Sequence, residues 1–166
     1  VCELALAEPE SVELTLAAGW NLIGVPVMNA DPACDVLTDA RGSVLATGRV
    51  WYSKAGQYAA LDLATSVFHP ESGYWLYSTA GGTTAAMTGI VADGVVTLAA
   101  GWNLVGAVAT CDLPEDPALA GTAYWWDPDS AEYRALEPGE SLVPGRAYWI
   151  YALTDVVLDL GNGAVR

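Results

Sequence analysis

Thr15-Leu16-Ala17-Ala18-Gly19-Trp20-Asn21-Leu22-Ile23-Gly24 returns 82 positions later as Thr97-Leu98-Ala99-Ala100-Gly101-Trp102-Asn103-Leu104-Val105-Gly106, with Ile23 against Val105 the one change in ten. Agreement of that length marks an internal repeat. A second anchor follows in the same order: Gly73-Tyr74-Trp75-Leu76-Tyr77 matches Ala147-Tyr148-Trp149-Ile150-Tyr151, 74 positions apart. The offset falls from 82 to 74, so the first copy holds eight more residues between the anchors. They are expected in Asp31 to Gly48, where Asp31-Pro32 opens a short Cys34-Asp35-Val36-Leu37 segment predicted to make one or two helical turns. The second copy has the Pro-containing loop Asp112 to Gly121 there.

Between its anchors each copy carries a hairpin pattern. The first reads Arg49-Val50-Trp51-Tyr52, a turn at Ser53-Lys54-Ala55-Gly56, then Gln57-Tyr58-Ala59-Ala60-Leu61. The second reads Ala123-Tyr124-Trp125-Trp126, a turn at Asp127-Pro128-Asp129-Ser130, then Glu132-Tyr133-Arg134-Ala135-Leu136. Asp-Pro and Gly are turn formers, and alternating aromatics suit strands. Whether Trp125 or Trp126 corresponds to Trp51 is open by one residue. Three further strand-like stretches lie before, between and after the copies: Cys2 to Leu6, Ala85 to Ile90 and Val156 to Leu160. The middle one is expected at the module boundary, with the modules packed edge to edge through it.

Strands of five to eight residues with frequent turn signals predict an all-β fold. It is read as two tandem, pseudo-symmetric small modules packed against each other, over residues 1–90 (with the short helical insertion near 31–48) and 91–166. Periodicity leaves barrel and sandwich both open. One shared body is favoured, because 166 residues bury a larger fraction of their surface together than as separate halves.

Twenty Asp and Glu against six Lys and Arg give a net charge of −14. Without clustered cations there is no counterion-release gain, so nucleic acid and anionic membranes are poor partners. No apolar run approaches the ~20 residues of a membrane helix, so no membrane insertion is expected. The chain begins at Val1 with a segment too polar for a secretory signal, as a processed protein or a fragment would. Abundant Trp and Tyr with a single lysine, Lys54, suit an exported surface protein, and no Asn-x-Ser/Thr sequon occurs. Cys2, Cys34 and Cys111 are an odd set, for which a Cys34–Cys111 disulfide between modules is the first expectation and two buried, unbridged cysteines the alternative.

The repeats resemble β-modules of secreted and surface proteins of bacteria and archaea that carry a "GWNLI(S/G)" opening, a central Val-Trp-x-Tyr hairpin and a "GYW" close. The resemblance covers most of residues 12–160, and the second copy departs from it at Ala147, where the first has Gly73. It implies an extracellular, often repeated accessory or structural module, and it brings no catalytic residues.

His69 is the only histidine; Ser66, Ser72 and Asp62 are near in sequence, but a triad needs a base oriented by a carboxylate, and the pattern reads as a loop histidine. Glu13 is expected to alternate outward from Leu14 and Leu16. No Cys-x-x-Cys or His pair supports zinc. Asp127, Asp129 and Glu132 are a weak calcium candidate, lacking the Gly and Glu of an EF-hand loop at Glu132 and Pro138; the competing reading is an Asx turn at Asp127. No other cofactor is indicated. The recurring tryptophans are read chiefly as core, each ring burying about 150–250 Å². Trp125, Trp126, Tyr133 and Tyr58 are the candidate ligand-facing rings, and Asn21 and Asn103 are expected to satisfy turn backbone. The leading expectation is a non-catalytic extracellular structural or protein-interaction module, with protein partners or self-assembly. A carbohydrate-binding module for a polysaccharide is the alternative, and a hydrolase the third.

Overall fold

In the computed structural model, residues 8–29, 45–136, 140–161 and 164–165 are described, with the backbone alone at 45–46, 83–85 and 164–165. The fold is all-β, and among these residues the one helical piece is a single 3-10 turn, Ser53–Ala55. The strands are β1 (Glu10–Leu16), β2 (Gly19–Gly24), β3 (Val27–Met28), β4 (Leu45–Tyr52), β5 (Gln57–Leu61), β6 (Gly73–Ser78), β7 (Thr83–Val91), β8 (Val95–Leu98), β9 (Gly101–Gly106), β10 (Cys111–Asp112), β11 (Leu119–Asp127), β12 (Glu132–Ala135), β13 (Ser141–Leu142), β14 (Ala147–Ala152), β15 (Val156–Asp159) and β16 (Ala164–Val165).

Two four-stranded antiparallel sheets dominate, ordered β2-β6-β4-β5 and β9-β14-β11-β12. Beside them lie β1-β7-β3, β8-β15-β16 and the pair β10-β13; none of the sheets closes into a barrel. The first core draws Leu14 and Leu16 from β1, Met87 from β7 and Tyr74 and Leu76 from β6. The second draws Val96 and Leu98 from β8, Leu158 from β15 and Tyr148 and Ile150 from β14. Each core is thus enclosed between a four-stranded sheet and a smaller one. The period-2 pattern explains this: Tyr74 and Leu76 point inward and are buried, while Trp75 and Tyr77 point to the other face.

The anchor motif makes the tight connection into β2 and into β9. Gly19 and Gly101 take φ of +94° and +106°, a region that side chains with a Cβ avoid. The buried Asn21 then closes the turn: its Oδ1 accepts from the Ala17 amide (2.9 Å) and its Nδ2 donates to the Ala17 and Gly19 carbonyls (2.9 and 3.0 Å). Asn103 does the same with Ala99 and Gly101 (3.0, 2.8 and 2.9 Å). Both asparagines serve the backbone, as the sequence suggests. Both hairpins also form, with Trp51 opposite Tyr58 and Trp126 opposite Tyr133. Trp126 is therefore the counterpart of Trp51, and Trp125 stands where the first hairpin has Val50.

The edge-to-edge expectation is corrected. β7 pairs with β1 and β3, both from its own half of the chain. The halves instead meet through the outer faces of the four-stranded sheets, where Leu22, Leu104 and Ala147 form a third cluster with Trp51, Trp75, Trp126 and Trp149 around it. Backbones approach closely there. A Cβ on Gly73 would lie 2.6 Å from Leu104 Cγ and 2.7 Å from Ala147 Cβ, which accounts for Gly at one copy's position and Ala at the other's. The Gly24 amide donates to the Gly145 carbonyl across the contact (3.1 Å). The strand-like stretch from Cys2 to Leu6 and the helical turns expected from Asp31 lie outside the described residues, except that residues 45–48 belong to β4.

Candidate functional site

Each four-stranded sheet presents tryptophans from its first, second and third strands on the face turned toward the other sheet. The indole Nε1 of Trp51 donates to the Trp102 carbonyl (3.0 Å), and that of Trp126 donates to the Trp20 carbonyl (3.0 Å). This is a reciprocal exchange between the sheets. Trp51 packs edge-on against Trp149 (5.0 Å between centroids), and Trp75 against Trp126 (5.1 Å), in the T-shaped geometry that aligns ring edge with ring face. Within each sheet Trp75 Nε1 donates to the Tyr58 hydroxyl (2.9 Å) and Trp149 Nε1 to the Tyr133 hydroxyl (3.1 Å). All of these indole donors are satisfied, so the layer is fixed by directional bonds as well as burial.

The layer is not sealed. Two clefts open along it. The larger, about 490 Å³, is lined among the described residues by Trp51, Tyr58, Trp102, Tyr124, Tyr133 and Trp149 alone. The smaller, about 340 Å³, is lined by Trp20, Arg49, Tyr58, Trp75 and Trp126. Trp102 is 44 % exposed and Tyr133 48 %, large values for rings in the middle of an aromatic cluster. Tyr58 is also exposed, and its partial burial lifts its hydroxyl above the ordinary value of 10.0, with the Trp75 bond opposing.

The four candidate rings therefore separate. Tyr58 and Tyr133 line the larger cleft. Trp126 is half-buried in the contact between sheets. Trp125, the copy-specific extra tryptophan, is half-buried against the second core and covered by the Arg146 guanidinium, 4.2 Å from its ring centroid. Trp102 and Tyr124 also line the larger cleft, and sequence reasoning passed over them. The signal for Trp102 was present in the alternation of β9, where Asn103 turns inward and Trp102 outward.

The acidic turn is held by its own chain. Asp127 pairs with Arg134 (2.6 Å) and its Oδ1 accepts from the Asp129 amide (3.1 Å), which is the Asx turn. Desolvation pushes the Asp127 carboxyl up, but hydrogen bonds from Ser130 and Asp129 and the charge of Arg134 outweigh it and hold it below its usual value. Asp129 and Glu132 are exposed, and no group of three or more potential metal ligands occurs among the described residues. Glu13 is exposed, as its alternation predicts.

Asp62 caps its own turn through the Ala64 amide (3.1 Å) and the Thr65 hydroxyl (2.8 Å), so its carboxylate is directed there and not at His69. The His69 amide donates to the Tyr74 hydroxyl (2.7 Å), and the Val143 amide donates likewise to Tyr148 (2.8 Å). Each tyrosine ties down the loop before its strand, and burial raises both phenols above their ordinary value. Cys34 lies outside the described residues, so the expected bridge does too; Cys111 is buried with its Sγ 3.0 Å from the Leu160 carbonyl oxygen. Among the described residues no helix is long and apolar enough to cross a membrane. Compared with family models, with curated proteins and with solved structures, the chain matches none.

Proposed function

We propose that the chain is a non-catalytic protein-interaction module of an exported protein, built as a tandem of two copies of one small β unit. Its contact surface is the aromatic face where the two four-stranded sheets meet. The tandem reading is supported by the recurring anchors and the shared strand order, β2-β6-β4-β5 and β9-β14-β11-β12. The exported location rests on composition and on the resemblance to modules of surface proteins.

One observation carries the interaction reading: a cleft whose walls, among the described residues, are Trp and Tyr alone, with Trp102 and Tyr133 left nearly half exposed. Contiguous exposed apolar surface of this kind marks contact sites, and Trp and Tyr are the residues that dominate binding energy in them. The test is sedimentation of the chain alone and with the protein that co-purifies with it. Trp102→Ala and Tyr133→Ala are each expected to weaken that complex, or the self-associated form, by about 30-fold. Full retention of association in both variants would sink the reading.

Carbohydrate binding is a second reading. It is favoured by the Tyr58 and Tyr133 hydroxyls, which accept from indoles and lie beside exposed ring faces. Polysaccharide pull-down that is lost on Tyr133→Ala, without any protein complex, would replace the first reading by this one.

A further inference from the structure

We propose that the larger cleft takes up a quaternary ammonium group carried by the partner protein. This rests on the reading of the aromatic face as a contact surface, and it names the chemistry that the face selects. The walls come first. Among the described residues they are rings alone, and ring faces carry the negative lobe of the aromatic quadrupole, which attracts a cation held within about 6 Å.

The hydrogen-bonding inventory narrows the kind of cation. A primary ammonium brings three N–H donors that need acceptors. The indoles only donate, and the Tyr58 and Tyr133 hydroxyls already accept from Trp75 and Trp149, which leaves the Tyr124 hydroxyl to meet three donors. A fully alkylated ammonium has no N–H to satisfy and so leaves no donor unpaired between such walls.

The smaller cleft supplies an internal comparison. Arg49 faces Trp75 across β4 and β6, and Tyr124 faces Trp149 at the same place across β11 and β14. The chain thus lines one cleft with its own cation and the other with a ring. Among the described residues no basic one lines the larger cleft; Lys54 lies beyond Trp51, in a groove that it shares with Asp155. A net charge of −14 makes a cation the favoured kind of partner for the chain as a whole.

The test titrates the full chain with choline and with 3,3-dimethylbutan-1-ol, its uncharged isostere, and follows the indole N–H resonances of Trp51 and Trp149. Choline is expected to bind at one site about tenfold more tightly than the isostere. Binding is lost in Tyr124→Arg and kept in Tyr124→Phe. Equal affinity for the two probes overturns the inference while leaving the face as an apolar contact surface. Absence of any shift with choline overturns it too, and the sedimentation of Trp102→Ala and Tyr133→Ala then decides the interaction reading separately. Undiminished choline binding by Tyr124→Arg places the site elsewhere and also overturns it. A peptide bearing trimethyllysine is expected to compete with choline; capture by phosphatidylcholine vesicles without binding of that peptide overturns the protein source.

Discussion

Replacing Asn21 by alanine removes three hydrogen bonds from one buried point and puts nothing in their place. The lost bonds are those to the Ala17 amide, the Ala17 carbonyl and the Gly19 carbonyl, at 2.9, 2.9 and 3.0 Å. A net contribution of about 1 kcal/mol per bond gives a destabilisation of about 3 kcal/mol. That is a large fraction of the ~5–15 kcal/mol that holds a domain together. With a urea slope of about 2 kcal/mol per molar, the unfolding midpoint falls by about 1.5 M. Asn103→Ala is expected to match it within about 0.5 kcal/mol, since its three bonds have the same partners in the second anchor. Equilibrium urea unfolding, followed by circular dichroism, measures both. A loss below about 1 kcal/mol in either variant would show that water replaces the amide at no cost, and the role assigned to these asparagines would be wrong.

Two further predictions concern packing and pH. Gly73→Ala drives a Cβ to within 2.6 Å of Leu104 Cγ and is expected to cost about 1–3 kcal/mol, read as a lower thermal midpoint; pairing it with Ala147→Gly recovers part of the loss by removing the contact at 2.7 Å. Burial raises Tyr74 and Tyr148 above 10.0, so the unfolded chain ionises first as pH climbs, and their contribution is complete below about pH 10 and lost as pH rises through the raised folded values. Urea midpoints on either side of pH 10, with phenolate absorbance, check this; a midpoint that holds constant past that pH would contradict it.

The parts of the fold that local chemistry dictates were legible from the residues. Gly19, with its positive φ, and Asn21, with its backbone bonds, make a turn that needs no partner from elsewhere in the chain, and the hairpins declare themselves through turn residues between alternating runs. The insertion-bearing stretch from Asp31 fell outside the described residues. What local pattern does not contain is the surface that an outward face meets. Trp20, Trp51, Trp75 and their counterparts were read mainly as core, because recurrence of large rings is what cores show. Burial belongs to the pair of sheets, and period-2 alternation shows only that Trp75 opposes Leu76 across the strand. The uncertainty over Trp125 and Trp126 had a sequence answer. Tyr58 follows Trp51 by seven residues and Tyr133 follows Trp126 by seven, as cross-strand pairing through equal hairpins requires. Trp125, the extra ring, then packs under Arg146.

The two indole bonds that pass between the sheets, from Trp51 to the Trp102 carbonyl and from Trp126 to the Trp20 carbonyl, run in opposite directions and use equivalent groups on each side. An exchange of this kind is isologous: the same groups on each face serve the other. Solenoid repeats work differently, since every unit there offers one unmatched face to its successor and the array grows without limit until it is capped. On the tandem reading proposed above, this contact pairs two copies and offers no equivalent bond to a third. If a longer protein carried further copies, they would add as self-contained twins, so that repeat number rises in even steps and each twin folds without waiting for the next.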